Sequence, residues 1–288
     1  MKILGTGLTG LIGSKIVEIL GDKYEFENLS RSSGVDIINQ NEVSERIKAS
    51  DAQLVLHLAA KTNVDRCEMD RNLEQNGETW KVNVDGTRNV ANTCEQTGKK
   101  VIYASTDFVF DGTKDLYFET DIPNPKNWYA QTKYEGEKII QELETPWIIA
   151  RIAYPYRANF KKPDFFRAIL NKLKEGESVV GVADHIFTPT YVDDIATALD
   201  VLITGNSEGI FHVVGSQSLS PYDAANMIAD EFDLDKSKIQ RTTRSEFFKG
   251  RANRPFQLAL ENAKITKLGV RMRTFEEGLK EIKLQLSS

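Results

Sequence analysis

Two tyrosine–lysine pairs of identical spacing lie in the segment WYAQTKYEGEK, residues 128–138. Tyr129 stands four residues before Lys133, and Tyr134 stands four residues before Lys138. Residues that are four apart on a helix lie on one face and can interact. In each pair the phenol could donate a proton and the neighbouring ammonium could lower the phenol's pKa. Ordinary helix surface is the alternative for both.

The elements around these pairs favour the first one. The apolar run KKVIYAST predicts a buried strand with Ser105 and Thr106 at its carboxyl end, the edge where open parallel sheets bind ligands. Tyr129 begins the next helix, directly after a proline-bearing loop, so its side chain can reach that edge. Tyr134 lies five residues later and is rotated about 140° around the helix. We therefore predict that Tyr129 and Lys133 face the crevice, and that the second pair is structural.

A glycine turn stands at the start of the chain. Gly7, Gly10 and Gly13 lie between the apolar run KILGTG and the amphipathic run SKIVEIL. Glycine lets the backbone turn tightly and approach a pyrophosphate, which the N–H groups at the helix N-terminus then bind. Simple turn chemistry also explains glycines at this spacing, but their place in the first strand–turn–helix unit favours a dinucleotide cofactor.

The end of the second predicted strand indicates which dinucleotide. An acidic residue there binds the ribose of NAD, whereas an arginine accommodates the 2′-phosphate of NADP. This strand ends in ENLSRSS, which places Ser30 and Arg31 at its tip and no carboxylate. The sequence favours NADPH and leaves NADH open, because Arg31 could also be a solvated loop residue.

Strands and helices alternate through the first 150 residues, which predicts an α/β fold with a doubly wound, Rossmann-type parallel sheet. We predict a dinucleotide-binding domain over residues 1–150. Residues 151–288 are predicted to form mostly a smaller α/β substrate-binding lobe, with some segments returning to the first domain.

Bulk composition excludes several classes of function. The 288 residues carry a net charge of −5 and no long basic run, so nucleic acid is not an expected partner. No apolar stretch approaches the roughly 18 residues of a membrane helix. Two cysteines in a chain of this length predict no disulfide framework and a cytoplasmic location.

Other polar residues are expected to be structural. His57 ends a buried strand, which favours a core histidine with satisfied hydrogen bonds over a catalytic one. A solvated start of a helix is the interpretation for the acidic residues Asp65, Glu68 and Asp70.

Several phrases resemble the extended short-chain dehydrogenase/reductase superfamily in its sugar-nucleotide branch, and within it the dTDP-4-dehydrorhamnose reductase family. STDFVFDG at 105–112 is similar to the family's STDYVFDG, and YAQTKYEGE at 129–137 is similar to YGxTKxxGE. Further similar phrases, in the family's order, are HLAAKTNVDRCE, RIAYPY, TPTYVDDIATAL, GIFHVVG and RANRPFQLALENAKITKLG. The resemblance covers nearly the whole chain.

The resemblance implies reduction of the 4-keto group of a nucleotide-linked 6-deoxyhexose by NADPH. Tyr129 would donate the proton, Lys133 would lower the pKa of Tyr129, and Thr106 would orient the substrate oxygen. The implied cofactor residues are Gly10, Leu11 and Ile12 at the pyrophosphate, Asp36 and Ile37 beside the adenine, Ala60, Lys61 and Thr62 along the ribose, and also Ala59 and Ala104.

On the substrate side, the resemblance implies that Asp107 touches the sugar beside Thr106. Tyr154 replaces the family's tryptophan as an aromatic platform, and Arg254 is a candidate diphosphate contact. Some bacterial members bridge a dimer through magnesium held by a glutamate of the first helix. Lys15 occupies that position here, so we expect no metal, and a homodimer is left open.

Two alternatives remain. An epimerase of the same superfamily would share the fold and the cofactor. A dehydratase is disfavoured, because that class carries Thr-Asp-Glu where this chain has a phenylalanine, Phe108, at the third position. The second alternative is a non-catalytic, NADP-binding subunit similar to the regulatory subunit of methionine adenosyltransferase.

Overall fold

Six parallel strands form the central sheet of the computed structural model, which describes residues 1–287. They are β1 (Lys2–Thr6), β2 (Glu25–Leu29), β3 (Leu54–His57), β4 (Lys100–Thr106), β5 (Trp147–Ile152) and β9 (Gly209–His212). Their spatial order is β2-β1-β3-β4-β5-β9. Two small parallel sheets pair β6 (Pro155–Tyr156) with β8 (Thr190–Tyr191), and β7 (Val179–Val182) with β10 (Ile239–Thr242). The predicted Rossmann-type fold is confirmed.

The helices flank these sheets. They are α1 (Leu11–Leu20), α2 (Gln40–Ala49), α3 (Val64–Met69), α4 (Glu78–Trp80), α5 (Gly86–Thr97), α6 (Trp128–Gln141), α7 (Phe165–Lys174), α8 (Val192–Thr204), α9 (Pro221–Glu231), α10 (Arg244–Phe247), α11 (Ala263–Thr266) and α12 (Phe275–Ser287). A π-helical stretch, Lys81–Asp85, joins α4 to α5. None of the helices within residues 1–287 has both the length and the hydropathy that crossing a bilayer requires.

Each face of the central sheet carries its own hydrophobic core. Ile3 packs in one cluster with residues of α1 and α8, and Leu4 packs in the other with residues of α2, α5 and α6. Successive side chains of a strand point to opposite faces, so both faces are covered and the strands are apolar along their length. His57 lies in this interior as expected, with Nδ1 at 2.6 Å from the Thr6 hydroxyl and Nε2 at 3.0 Å from the Thr87 hydroxyl.

The second half of the chain contributes to two places. A third core cluster, which includes Tyr156, Phe166 and Phe275, packs around the β6–β8 sheet. In contrast, β9 extends the central sheet and α8 packs against α1. The division into two domains at residue 150 stays a prediction, and β5 continues past it to Ile152.

Candidate active site

A cavity of about 840 Å³ opens at the carboxyl ends of the central strands. This volume is in the range of cofactor and ligand sites. Among its lining residues are nearly all the predicted ones: Gly7, Gly10, Leu11, Ile12, Gly13, Ser30, Arg31, Asp36, Ile37, Ala59, Ala60, Lys61, Thr62, Ala104, Thr106, Asp107, Tyr129, Lys133 and Tyr154.

The glycine turn has the geometry of a phosphate cradle. Gly7 has a left-handed φ of +71°, and a Cβ there would lie 2.7 Å from the backbone nitrogen of Ala59. A Cβ on Gly13 would lie 2.5 Å from the carbonyl oxygen of Gly7. Gly10 caps α1 and no side chain caps the helix, which leaves the first N–H groups available for an anion. The residues present therefore fit a dinucleotide pyrophosphate.

The rim beyond this turn carries both signs of charge. The Arg31 side chain is 65% exposed, and its Nε donates to Oδ2 of Asp36 at 2.8 Å. Ser30 lies beside it and begins the short helical turn that follows β2. The tip of β2 lacks a carboxylate, as the sequence indicates. The loop that follows β2 nevertheless brings the carboxylate of Asp36 beside Arg31. A guanidinium held at this rim can pair with a phosphate.

The helix α6 directs one tyrosine–lysine pair into the cavity. Its N-terminus is fixed by the side chain of Asn127, which accepts from the N–H of Ala130 at 2.9 Å, and by Glu68, which accepts from the N–H of Trp128 at 2.8 Å. Tyr129 is 9% exposed and Lys133 is 3% exposed. Both line the cavity together with Thr106 of β4.

The second pair lies outside this cavity. Lys138 is exposed, its Nζ donates to Glu135 at 2.8 Å, and it lies 5.0 Å from the centroid of the Tyr134 ring. Tyr134 is half-buried against a neighbouring hydrophobic cluster. The structure thus separates the two pairs in the way that the helical rotation predicts.

Burial, rather than Lys133, has the largest influence on the pKa of the phenol, and the expected effect of Lys133 stays a prediction. Burial raises the pKa of Tyr129 well above its ordinary value, and the neighbouring Thr106 hydroxyl lowers it only in part. Burial also lowers the pKa of Lys133 itself to about 7, against an opposing influence of Glu137. Desolvation decides both directions, because it disfavours the charged form of each group. Tyr129 is therefore a phenol that keeps its proton at neutral pH.

Asp107 brings an unsatisfied oxygen to the same wall. It is buried, and its Oδ1 accepts from the Thr106 hydroxyl at 2.9 Å. Its Oδ2 has no hydrogen-bond partner in the part of the chain that the structure describes. Burial raises the pKa of Asp107 to about 7. A buried oxygen without a partner is costly, so this wall offers a hydrogen-bonding position to a donor group in the cavity.

Tyr154 forms an aromatic wall of the cavity between β5 and β6. Its φ of +39° is left-handed, which is unusual for any residue with a Cβ. Its ring packs edge-to-face on Phe187 with the centroids 4.6 Å apart, and on Phe108 at 6.0 Å. Backbone strain of this kind persists where the surroundings fix the residue, and it is found at ligand sites. An aromatic platform for a sugar ring fits this arrangement.

Arg254 does not line the cavity, in contrast to the other predicted residues. It is buried, and its Nη1 donates to Oδ1 of Asp65 at 2.5 Å and to the carbonyl oxygen of Ala252 at 2.7 Å.

The interpretation of the acidic residues Asp65 and Asp70 as a solvated start of a helix was wrong. Asp65 is bound by Arg251 and Arg254, while Asp70 accepts from the N–H of Thr79 at 2.8 Å. The two arginine partners of Asp65 lie 186 and 189 positions away, too far along the chain for a local pattern to reveal.

Sequence reasoning missed part of the cavity wall. Pro155, Asp164 and Phe165 line it from the second half of the chain. Asp164 caps α7 by accepting from the N–H of Arg167 at 3.0 Å. An aspartate directly before the amphipathic run FFRAIL is a recognisable cap signal, but nothing in the sequence places that cap beside the cofactor turn.

The family is decided by comparison with known proteins. The family model described as the RmlD substrate binding domain matches residues 1–287 of this chain. The chain belongs to this family.

Relatives of the RmlD family match over nearly their whole length. The dTDP-4-dehydrorhamnose reductase of Aggregatibacter actinomycetemcomitans is 30% identical, over 98% of this chain and 98% of the relative. Methionine adenosyltransferase 2 subunit beta of Pongo abelii is also 30% identical, over 97% of this chain and 86% of the relative. The crystal structure of dTDP-4-dehydrorhamnose reductase from Bacillus anthracis in complex with NADP superposes with a TM-score of 0.90, at 29% identity and 99% coverage of both chains. The resemblance to the sugar-nucleotide branch of the short-chain dehydrogenase/reductase superfamily is thereby confirmed.

The expectation about a metal concerns the first helix. Lys15 of α1 pairs with Glu18 at 2.6 Å and lies 3.7 Å from Asp193. Within residues 1–287, no group of three or more histidine, cysteine or acidic side chains is arranged to hold a metal ion.

Proposed function

We propose that this protein is an NADPH-dependent reductase that converts the 4-keto group of a nucleotide-linked 6-deoxyhexose, as in a dTDP-4-dehydrorhamnose, to a hydroxyl. The observation that carries the proposal is the convergence of Tyr129, Lys133 and Thr106 in one cavity with the glycine turn. The match of the RmlD family over residues 1–287 supports it.

Each side chain of the site has its own role in the proposed reduction. The reduced dinucleotide, when bound along the glycine turn, supplies a hydride for the carbonyl carbon. Tyr129 donates its proton to the carbonyl oxygen, and Thr106 holds that oxygen by a hydrogen bond when its hydroxyl turns from Asp107 to the substrate. The pKa of Lys133, about 7 because of its burial, lets this residue exchange a proton near neutral pH and stabilise the phenolate that forms. Asp107 and Tyr154 hold the sugar ring.

The remaining lining residues would bind the dinucleotide. Gly7, Gly10, Leu11, Ile12 and Gly13 would meet the pyrophosphate, Asp36 and Ile37 the adenine, and Ala59, Ala60, Lys61, Thr62 and Ala104 the ribose side. Ser30 and Arg31 favour NADPH over NADH, because a guanidinium pairs with a 2′-phosphate. NADP in the Bacillus anthracis reductase supports this choice.

The stoichiometry of the cofactor tests the proposal. Purified protein is mixed with NADPH and each member of a panel of nucleotide-linked 4-keto-6-deoxy sugars, and the loss of NADPH absorbance is compared with the product formed. We expect equimolar consumption of NADPH and sugar. Interconversion of sugars without net NADPH consumption would instead identify an epimerase.

A second candidate is a subunit that binds dinucleotide and docks on another enzyme. The 30% identity to methionine adenosyltransferase 2 subunit beta over 97% of this chain favours it. Such a subunit would bind NADPH but consume none with any keto-sugar, and it would co-purify with a methionine adenosyltransferase. Turnover of a keto-sugar by the isolated chain would exclude this candidate.

A cytoplasmic location belongs to the same proposal. Cys67 and Cys94 are both buried free thiols, as is typical of proteins from reducing compartments. A homodimer is compatible with the proposal, and analytical ultracentrifugation would test it.

A further inference from the structure

A fully buried ion pair lies beside the Tyr129–Lys133 pair, and the proposed mechanism does not use it. Glu137 of α6 is 0% exposed and Arg151 of β5 is 1% exposed. Arg151 donates from Nε to Oε1 of Glu137 at 3.0 Å, and from Nη2 to Oε2 at 2.7 Å. Ser105 of β4 donates from its hydroxyl to Oε1 at 2.5 Å. Both carboxylate oxygens are therefore fixed in place.

The fold brings this pair to the lysine. Glu137 follows Lys133 by one helical turn, so the two side chains share the face of α6 that packs on the sheet. Ser105 and Arg151 lie directly opposite each other in the register of β4 and β5. Ser105 also lines the cavity and is the neighbour of Thr106. The ion pair thus ties the helix that carries Lys133 to the strand ends that form the site.

A buried ion pair is not a general device for stability, because apolar side chains of similar size often serve as well. The neighbouring Lys133 gives a reason for a buried ion pair at this place. Burial lowers the pKa of Lys133 to about 7, and the influence that raises it comes from Glu137. The titratable and charged groups around Lys133 and the ion pair are His57 on β3, Tyr103 on β4, Arg151 on β5, His212 on β9, and Tyr129 and Glu137 on α6.

Within this group the carboxylate of Glu137 carries the negative charge, and the other charged neighbour, Arg151, is a cation. The Lys133 ammonium lies over the Tyr103 ring, with Nζ 4.0 Å from the ring centroid. We infer that Glu137 is a positioning residue that favours the charged form of Lys133 and holds it in the cavity wall, with Arg151 and Ser105 holding the carboxylate. Only the consequence for turnover rests on the proposed function.

Titration of Lys133 by NMR tests the inference without any substrate. Lysine labelled with ¹³C at Cε is incorporated, and the Lys133 signal is identified by its loss in Lys133→Met. We expect Glu137→Gln to lower the titration midpoint of Lys133 by about one pH unit, because a nearby negative charge is removed. The matched control is Glu135→Gln, on the same helix but outside the buried group, which should leave the midpoint unchanged.

Arg151→Met makes the test two-sided. It removes a cation and leaves the carboxylate, so the Lys133 midpoint should move to higher pH. A purely structural ion pair would lower the melting temperature in both variants without moving the midpoint in opposite directions. If Glu137→Gln does not fold, Glu137→Asp replaces it, with a smaller shift expected in the same direction because the shorter side chain withdraws the charge.

The pH dependence of kcat then links the inference to turnover. In Glu137→Gln the high-pH limb of kcat should move to lower pH by the same amount as the NMR midpoint. An unchanged Lys133 midpoint in the Glu137 variants, or shifts of equal sign in the Glu137 and Arg151 variants, would overturn the inference. A shifted midpoint in a protein that reduces no keto-sugar would leave the inference standing and refute the proposed function instead.

Discussion

The two tyrosine–lysine pairs of α6 have the same residues and the same spacing but entirely different surroundings. Tyr129 and Lys133 are buried in the wall of a cavity, where desolvation moves the pKa of the phenol up and that of the ammonium down. Lys138 is exposed and bound to Glu135 beside a half-buried Tyr134. Both pairs have the spacing that lets a tyrosine and a lysine interact. Only the pair that is buried at the carboxyl edge of the sheet has shifted pKa values and lines the cavity.

Each cavity residue can be tested against a residue of the same type that lies outside the cavity. The largest effect is expected for the lysines. Lys133→Met should lower kcat about 10²–10⁴-fold, because the site loses the cation that stabilises the phenolate. Lys138→Met should change kcat by no more than about twofold, as is usual for surface ion pairs. Steady-state kinetics of NADPH oxidation measures both, and equal losses would contradict the separation of the pairs.

The glycines give the next effect. Gly7 and Gly176 have φ angles of +71° and +74°, so alanine strains the backbone equally at both, by about 1 kcal/mol. Only at Gly7 would the new Cβ meet backbone, at 2.7 Å from the nitrogen of Ala59. Gly7→Ala should therefore weaken NADPH binding by at least about tenfold, while Gly176→Ala only lowers the melting temperature. Fluorescence titration with NADPH separates the two, and equal dissociation constants would argue against the cradle.

Two arginines test the choice of dinucleotide. Arg31 is paired with Asp36 at the cavity rim, and Arg46 is paired with Glu27 at 2.8 Å on α2. Arg31→Ser should raise the Kd of NADPH about tenfold and leave that of NADH nearly unchanged, because the 2′-phosphate loses its partner. Arg46→Ser should leave both constants unchanged. A parallel loss of NADH affinity in Arg31→Ser would show that the guanidinium does not read the phosphate.

The last comparison concerns stability and two aspartates whose pKa values move in opposite directions. Burial raises the pKa of Asp107 to about 7, so between about pH 4 and 7 the folded state binds the extra proton and stability falls as pH rises. In this window the free energy of unfolding of the wild type should fall, relative to that of Asp107→Asn, by about 1.4 kcal/mol for each pH unit. Bonding to Arg254 lowers the pKa of Asp65 to about 2, so its contribution is lost as pH falls toward that value. Urea unfolding at several pH values checks both signs.

The parts of the molecule that follow local rules could be predicted from the sequence. The glycine turn, the buried strand that ends at Thr106 and the orientation of Tyr129 depend on periodicity and on the edge of the sheet, and each lies where it was expected. The same reasoning separated Tyr134 from the cavity.

Residues whose partners lie far along the chain could not be predicted. Asp65 binds Arg254, which lies 189 positions away along the chain. Glu137 belongs to the phrase YAQTKYEGE, and a carboxylate on the buried face of a helix, one turn after a lysine, is a sequence signal for such an ion pair. The direction of the pKa shift of Tyr129 also depended on burial, which the sequence does not quantify.

The most direct test compares Tyr129→Phe with Tyr134→Phe in NADPH-dependent reduction of the keto-sugar that the wild type turns over. Each variant removes one hydroxyl from the same helix. We predict that Tyr129→Phe lowers kcat at least about 100-fold with NADPH binding retained, and that Tyr134→Phe stays within about twofold of wild type. Wild-type turnover by Tyr129→Phe, or an equal loss in Tyr134→Phe, would contradict the account.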